Sequence, residues 1–110
     1  MIEATLVFAL ISVAITAFGI PLWVAMVKPN RFYGVRNAAT LGDEAVWYAV
    51  NRATGRDVVA LGGSALVLSA FLPEIGVSGA AYITLMAVYL AAAGALVVLI
   101  VLARVRRLRL

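Results

Sequence analysis

The side chains with chemical potential in this sequence are gathered into one short stretch. Between Lys28 and Asn37 lie Pro29, Asn30, Arg31, Gly34 and Arg36, and Thr40, Asp43, Glu44, Trp47, Asn51, Arg52 and Gly55 come after them at close intervals. Gly34 permits a positive φ in a tight turn, with Arg31 and Arg36 on either side of it. Two guanidiniums beside a helix amino terminus can bind a phosphate, such as that of a lipid headgroup, because both offer convergent N–H donors. Asp43 and Glu44 work against this, since they occupy the helix start and repel an anion there. The other reading is a rigid polar cap. In it Asn30 and Asn51 bond loop backbone, and Arg36 pairs with Asp43, Glu44 or Asp57. Trp47 then either anchors at the membrane boundary or packs beneath the loop. Polar groups near a bilayer must first satisfy backbone and charge, which favours the cap.

What is missing narrows the chemistry further. The chain has no His and no Cys, which removes disulfides, thiolate chemistry, imidazole ligation of haem and the usual zinc sites. Ser12, Thr16, Ser64, Ser69 and Thr84 fall in apolar runs, where a hydroxyl bonds its own helix backbone or a neighbour. A catalytic serine would need a base that is absent. The expectation is therefore no catalytic residue, no metal, no cofactor and no enzymatic activity.

The elements that position this stretch are membrane helices. A chain of 110 residues that is 65% hydrophobic and 13% charged exposes too much apolar surface for water, so lipid is its solvent. Three apolar runs stand out: Leu6 to Val27, Val58 to Leu72 and Ser78 to Leu102. A spanning helix needs about 20 apolar residues, so the second run must begin upstream of Val58, near residue 56, or sit where the bilayer thins. The runs are continuously apolar, unlike the alternating strands of a barrel. The first run is expected to be a retained span, because it lacks a positive n-region and is followed directly by Lys28.

The fold class is thus all-α integral membrane, with three transmembrane helices and a cytoplasmic amphipathic helix between the first and second. One domain covers residues 1–110, with spans at about 6–27, 56–72 and 78–102 and the polar loop and helix at 28–55. Gly19 and Pro21 predict a kink near Ala17 to Pro21. Thr40 with Asp43 resembles a capping box, and Asp43 is read as a cap. Val46, Trp47, Ala49, Val50 and Ala53 share one side of the following helix, while Glu44, Tyr48, Asn51, Arg52 and Gly55 share the other. Gly55 either bends this helix into the second span or lets it run through. Ala60 with Ser64, Ala65 with Ser69, and Ala87, Ala91 and Ala95 make small-residue stripes for close helix packing. No charge is expected in the core of a span, which argues against an ion-coupled pump.

All nine Lys and Arg residues fall between the first and second runs or after the third. Alternating spans place both segments on one side, so the protein is expected in the cell membrane with its amino terminus outside and carboxyl terminus cytoplasmic. Arg104, Arg106, Arg107 and Arg109 are read as snorkelling, topology-setting side chains. The net charge of +4 points to membrane lipids as partners and not to nucleic acid.

The string Lys28 to Asn37, with Thr40-Leu41, Trp47, Asn51-Arg52 and Gly55, resembles the signature of the SdpI family of small prokaryotic membrane proteins. The matching positions are Pro29, Asn30, Gly34, Arg36, Thr40, Leu41, Trp47, Asn51, Arg52 and Gly55. Asn37 departs from the pattern, standing where many members place Thr. The resemblance implies a module for immunity against, or signalling of, a membrane-active antimicrobial peptide. The family's named member is longer, with further spans ahead of the signature. An accessory subunit packed against a larger membrane protein partner, or a homo-oligomer passing small solutes, are the alternatives of other classes.

Overall fold

The computed structural model describes residues 2–108, which are helical without strands. The order is α1 (Ile2–Trp23), α2 (Ala38–Gly42), α3 (Glu44–Glu74) and α4 (Gly79–Arg107). Helices α1, α3 and α4 are each long and apolar enough to cross a membrane. The molecule is 50 Å in its longest dimension, enough for a hydrocarbon core of about 30 Å and its headgroup regions.

Helix α3 is the central element. It is flanked by α1 and α4, which scarcely meet each other except at one end, where the rings of Phe8 and Tyr82 stand edge to face at 5.8 Å. Its buried residues include Trp47, Asn51, Thr54, Gly62, Ala65, Ser69 and Leu72, a three-and-four spacing that keeps one seam turned inward over the whole length. Large apolar side chains elsewhere, such as Leu10, Phe18, Val67, Val88 and Leu99, point outward, as a lipid solvent permits. Towards the end that carries Glu3 and Glu74, Ala65, Leu72, Tyr82 and Met86 form the apolar core. Towards the other, basic end the interior is mixed, with Thr40, Asn51 and Thr54 buried beside Leu22, Trp47 and Val50.

The contact between α1 and α3 depends on glycine. A Cβ on Gly55 would meet the Trp23 amide nitrogen, the Gly19 carbonyl at 2.7 Å and Leu22 at 2.8 Å. A Cβ on Gly62 would strike the Thr16 hydroxyl, the Thr16 amide nitrogen at 2.6 Å and the Ser12 carbonyl at 2.9 Å. Backbones this close exclude any side chain between them, and packing in place of hydrophobic exclusion is what holds helices together in lipid. Ser12 and Thr16 turn their hydroxyls onto the carbonyls of Phe8 and Ser12, at 2.7 and 2.8 Å, as anticipated. Of the small-residue stripes, Ala65 and Ser69 are buried, whereas Ala60, Ser64, Ala87, Ala91 and Ala95 are exposed.

Several expected boundaries move. The first span ends at Trp23 and not Val27, with Pro21 in its last turn. Ala25 adopts φ +60, and the amides of Met26 and Ala25 donate to the carbonyls of Pro21 and Leu22 at 2.9 and 3.2 Å, a left-handed helix stop. No separate amphipathic helix precedes the second span among the described residues. α3 runs unbroken from Glu44 through Gly55 to Glu74, with the backbone of α1 in close contact at Gly55. Arg52, Arg56 and Asp57 consequently lie on the spanning helix itself. The capping box is also one step earlier than expected: Asn37 and Thr40 cap α2 reciprocally, and Asp43 alone caps α3, accepting from Ala45 and Val46.

Candidate functional site

Residues 24–37 leave α1, fold over the start of α3 and are tied down by two of its side chains. Trp47 is fully buried, and its Nε1 donates to the Val27 carbonyl at 2.8 Å. One turn later Asn51, also buried, reads the loop as a second backbone would. Its Oδ1 accepts from the Val35 amide at 2.6 Å, and its Nδ2 donates to the carbonyls of Val35 at 3.3 Å and Trp47 at 3.0 Å. A primary amide suits this position because it offers an acceptor and two donors in one plane. Gly34 lies directly over the pair at φ +108, and a Cβ there would meet Asn51 Oδ1 at 2.7 Å and the Trp47 ring at 3.2 Å. The loop crosses this closely only because that residue has no side chain.

The rest of the loop braces itself. Asn30 Oδ1 accepts from the amides of Phe32 and Tyr33 at 2.8 and 2.7 Å, while its Nδ2 donates to the Lys28 carbonyl at 2.7 Å, an Asx turn directly after Pro29. The Tyr33 hydroxyl donates to the Phe18 carbonyl, and the two rings lie 4.7 Å apart. Burial raises the Tyr33 pKa above the ordinary phenol value. Thr40, fully buried, accepts from the Asn37 amide and has its own amide held by Asn37 Oδ1, both at 2.9 Å. The departure at Asn37 thus supplies an N-cap, a role for which Asn and Thr are both suited.

The sequence-predicted residues fall into two groups. Asn30, Gly34, Thr40, Trp47, Asn51 and Gly55 converge on the cap or on the helix contact beneath it, with Pro29 opening the loop. Arg31, Arg36 and Arg52 do not join them. Arg36 donates to the Arg31 carbonyl and pairs with none of Asp43, Glu44 and Asp57, because Asp57 lies more than three turns along α3 and is occupied elsewhere. Arg31 is exposed. The two guanidiniums frame no helix terminus, since the starts of α2 and α3 are already closed by Asn37 and Asp43. Trp47 packs beneath the loop and is not an interfacial anchor.

Asp57 is matched across the helix gap by Arg104, whose Nη2 lies 2.9 Å from Oδ2 and whose Nη1 donates to the Thr54 hydroxyl at 3.2 Å. Arg56 stands 3.6 Å from the other oxygen. Arg104 is therefore a structural tie between α3 and α4, in contrast to the snorkelling role expected of it. A charge on a spanning helix is tolerated when it is paired and hydrogen-bonded. Further along the same gap Ser64 and Tyr89 share a hydroxyl hydrogen bond, which the apolar runs around them do not announce. Gly19 and Gly62 carry no polar signal that marks them as packing residues, although Gly62 lies seven residues after Gly55, two helical turns on the same face.

The cap and the two helices joined to it coincide with one block of similarity: the SdpI/YfhL protein family model matches residues 26–103. The chain matches no curated protein and no solved structure. With the greater part of its length inside that match and three helices fit to span a bilayer, the chain is a multi-pass membrane protein that belongs to the SdpI/YfhL family.

Proposed function

We propose that this protein is a non-enzymatic SdpI-like immunity or envelope-stress module, which acts against or senses a membrane-active peptide. In this reading the basic end, with its cap, faces the cytoplasm and the amino terminus lies outside, since short Lys- and Arg-rich segments resist translocation. The observation that carries it is the convergence of the family's signature residues on a single buried knot, Gly34 over Trp47 and Asn51, inside the family match. A loop fixed in one shape against a spanning helix can pass a displacement of that helix to its cytoplasmic surface, or hold the helix against one.

The test is survival. Cells lacking the gene, the parent strain and a strain complemented with Asn51→Leu are exposed to a panel of membrane-active peptides. The expected result is lower survival of the deletion strain for at least one peptide and no rescue by Asn51→Leu. Indistinguishable survival of deletion and parent across the panel would sink the immunity reading.

A second reading has one observation in its favour. Ala87, Ala91 and Ala95 lie along α4 and are left exposed, so an accessory subunit of a larger membrane complex would have a smooth face to present. Purification in mild detergent should then bring down a stoichiometric partner, and recovery of the bare chain counts against it.

A further inference from the structure

Beside the cap, at the level where α1 ends, lies a cavity of about 260 Å³ lined by Trp23, Ala49, Arg52, Ala53 and Arg56. Ala49, Arg52, Ala53 and Arg56 keep the i, i+3, i+4, i+7 spacing of one helix face, so α3 supplies two small residues and two arginines about one turn apart. Trp23, the last residue of α1, closes the side and remains 43% exposed. No carboxylate lines this cavity. Arg52 has no hydrogen bond or ion pair among the described residues, and Arg56 has only the 3.6 Å approach to Asp57, whose other oxygen is held more closely by Arg104 at 2.9 Å. Two positive charges are thus left largely uncompensated beside one small recess.

We propose that Trp23, Arg52 and Arg56 form a seat for the phosphate of one anionic phospholipid. The guanidinium fork matches phosphate oxygens and is weakly hydrated, so it releases water readily to such a ligand. Indole prefers the headgroup depth, and Trp23 sits where a spanning helix gives way to a polar loop. The cavity is smaller than the 300 Å³ or so at which drug-sized sites begin, a size suited to a headgroup whose acyl chains stay outside along the apolar helix faces. The seat is separate from the cap, whose polar atoms are already bonded to one another. It does not depend on which side of the membrane the basic end occupies, nor on the immunity reading.

The experiment uses the full chain in nanodiscs of phosphatidylcholine with a minor share of phosphatidylglycerol, released into native mass spectrometry from a buffer with and without inorganic phosphate. The wild type is expected to retain one phosphatidylglycerol. Arg52→Gln/Arg56→Gln should lower that retention at least tenfold, whereas Arg106→Gln/Arg107→Gln, which removes the same charge, should leave it within twofold. Both double variants carry exposed changes, and their thermal transitions are compared with wild type to establish folding. Equal loss in the two double variants would reduce the effect to net charge and overturn the proposal. So would a wild type that retains no anionic lipid, or one that carries inorganic phosphate in its place.

Discussion

The two connections between spanning helices begin alike and are completed differently. Both α1 and α3 stop with a left-handed residue and the same pair of backbone bonds. At α1 the residue is Ala25, φ +60; at α3 it is Gly76, φ +81, with the amides of Val77 and Gly76 donating to Leu72 and Pro73 at 3.4 and 3.2 Å. After Gly76 the chain is finished almost at once: Val77 packs on the apolar core and Ser78 caps α4. After Ala25 residues 26–37 must cross the bundle end, and backbone bonds alone do not hold them. Trp47 and Asn51 supply the missing partners from the side of α3. A short connection is specified by one glycine and a cap; a long one needs side chains from the element it covers.

The sharpest break in this picture is to separate the helices beneath the long connection. Gly55→Ala should destabilise the protein by about 3 kcal/mol, since the new methyl meets backbone atoms that cannot move aside. Gly63→Ala, where nothing lies within 4 Å of the added carbon, should stabilise by about 1 kcal/mol through helix propensity. Thermal unfolding in detergent distinguishes them, and equal melting points would mean that α1 does not rest on α3 at this glycine.

Removing the side chain that holds the loop comes next. Asn51→Leu leaves the Val35 amide and carbonyl without their side-chain partner, a loss of about 3 kcal/mol. The opposite connection has no equivalent residue to remove. Limited proteolysis should therefore cut the variant within residues 26–37 while residues 75–78 stay as resistant as in wild type.

Smaller effects are expected at the tie between α3 and α4. Arg104→Met should cost about 2 kcal/mol, the scale of a lost hydrogen bond to a charged group, because Arg104 and Asp57 are only 22% and 17% exposed. Asp57→Leu in the same background should recover part of it, and a coupling energy near zero in the double-mutant cycle would show that the two charges do not act together.

The sequence made the class of this fold legible because a long apolar run has few interpretations, and made the cap residues legible because Gly34, Thr40, Trp47 and Asn51 bring turn-forming or hydrogen-bonding groups together between two apolar runs. It did not reveal their partners, which are the backbone groups of Val27 and Val35 and carry no side-chain signal. The continuity of α3 was left open by its composition: Gly55 and the charges Arg52, Arg56 and Asp57 fit a bend at the membrane surface as well as a helix that runs through, until Arg104 is seen to lie against Asp57. Periodicity of small residues was also ambiguous. Ala60 and Ser64 share the spacing of Ala65 and Ser69, but only the second pair is buried, and an apolar chain offers no polar face from which to tell them apart.

The smallest effects compare the two helix stops directly. Ala25→Gly relieves a left-handed alanine and should stabilise by about 1 kcal/mol, and Gly76→Ala should cost about as much. Opposite signs of similar size in chemical denaturation would show that the stops are equivalent and that only the connections beyond them differ. Two losses would mean that Ala25 is held by the loop and not by the helix end.

The central claim, that Asn51 fixes the long connection, is tested most directly by hydrogen exchange at the Val35 amide. In wild type this amide should exchange far more slowly than that of its exposed neighbour Arg36, whose backbone N–H donates to no acceptor among the described residues. In Asn51→Leu its protection should vanish while the amides in the middle of α4 keep theirs. A Val35 amide that exchanges in wild type as fast as an open loop would contradict the account.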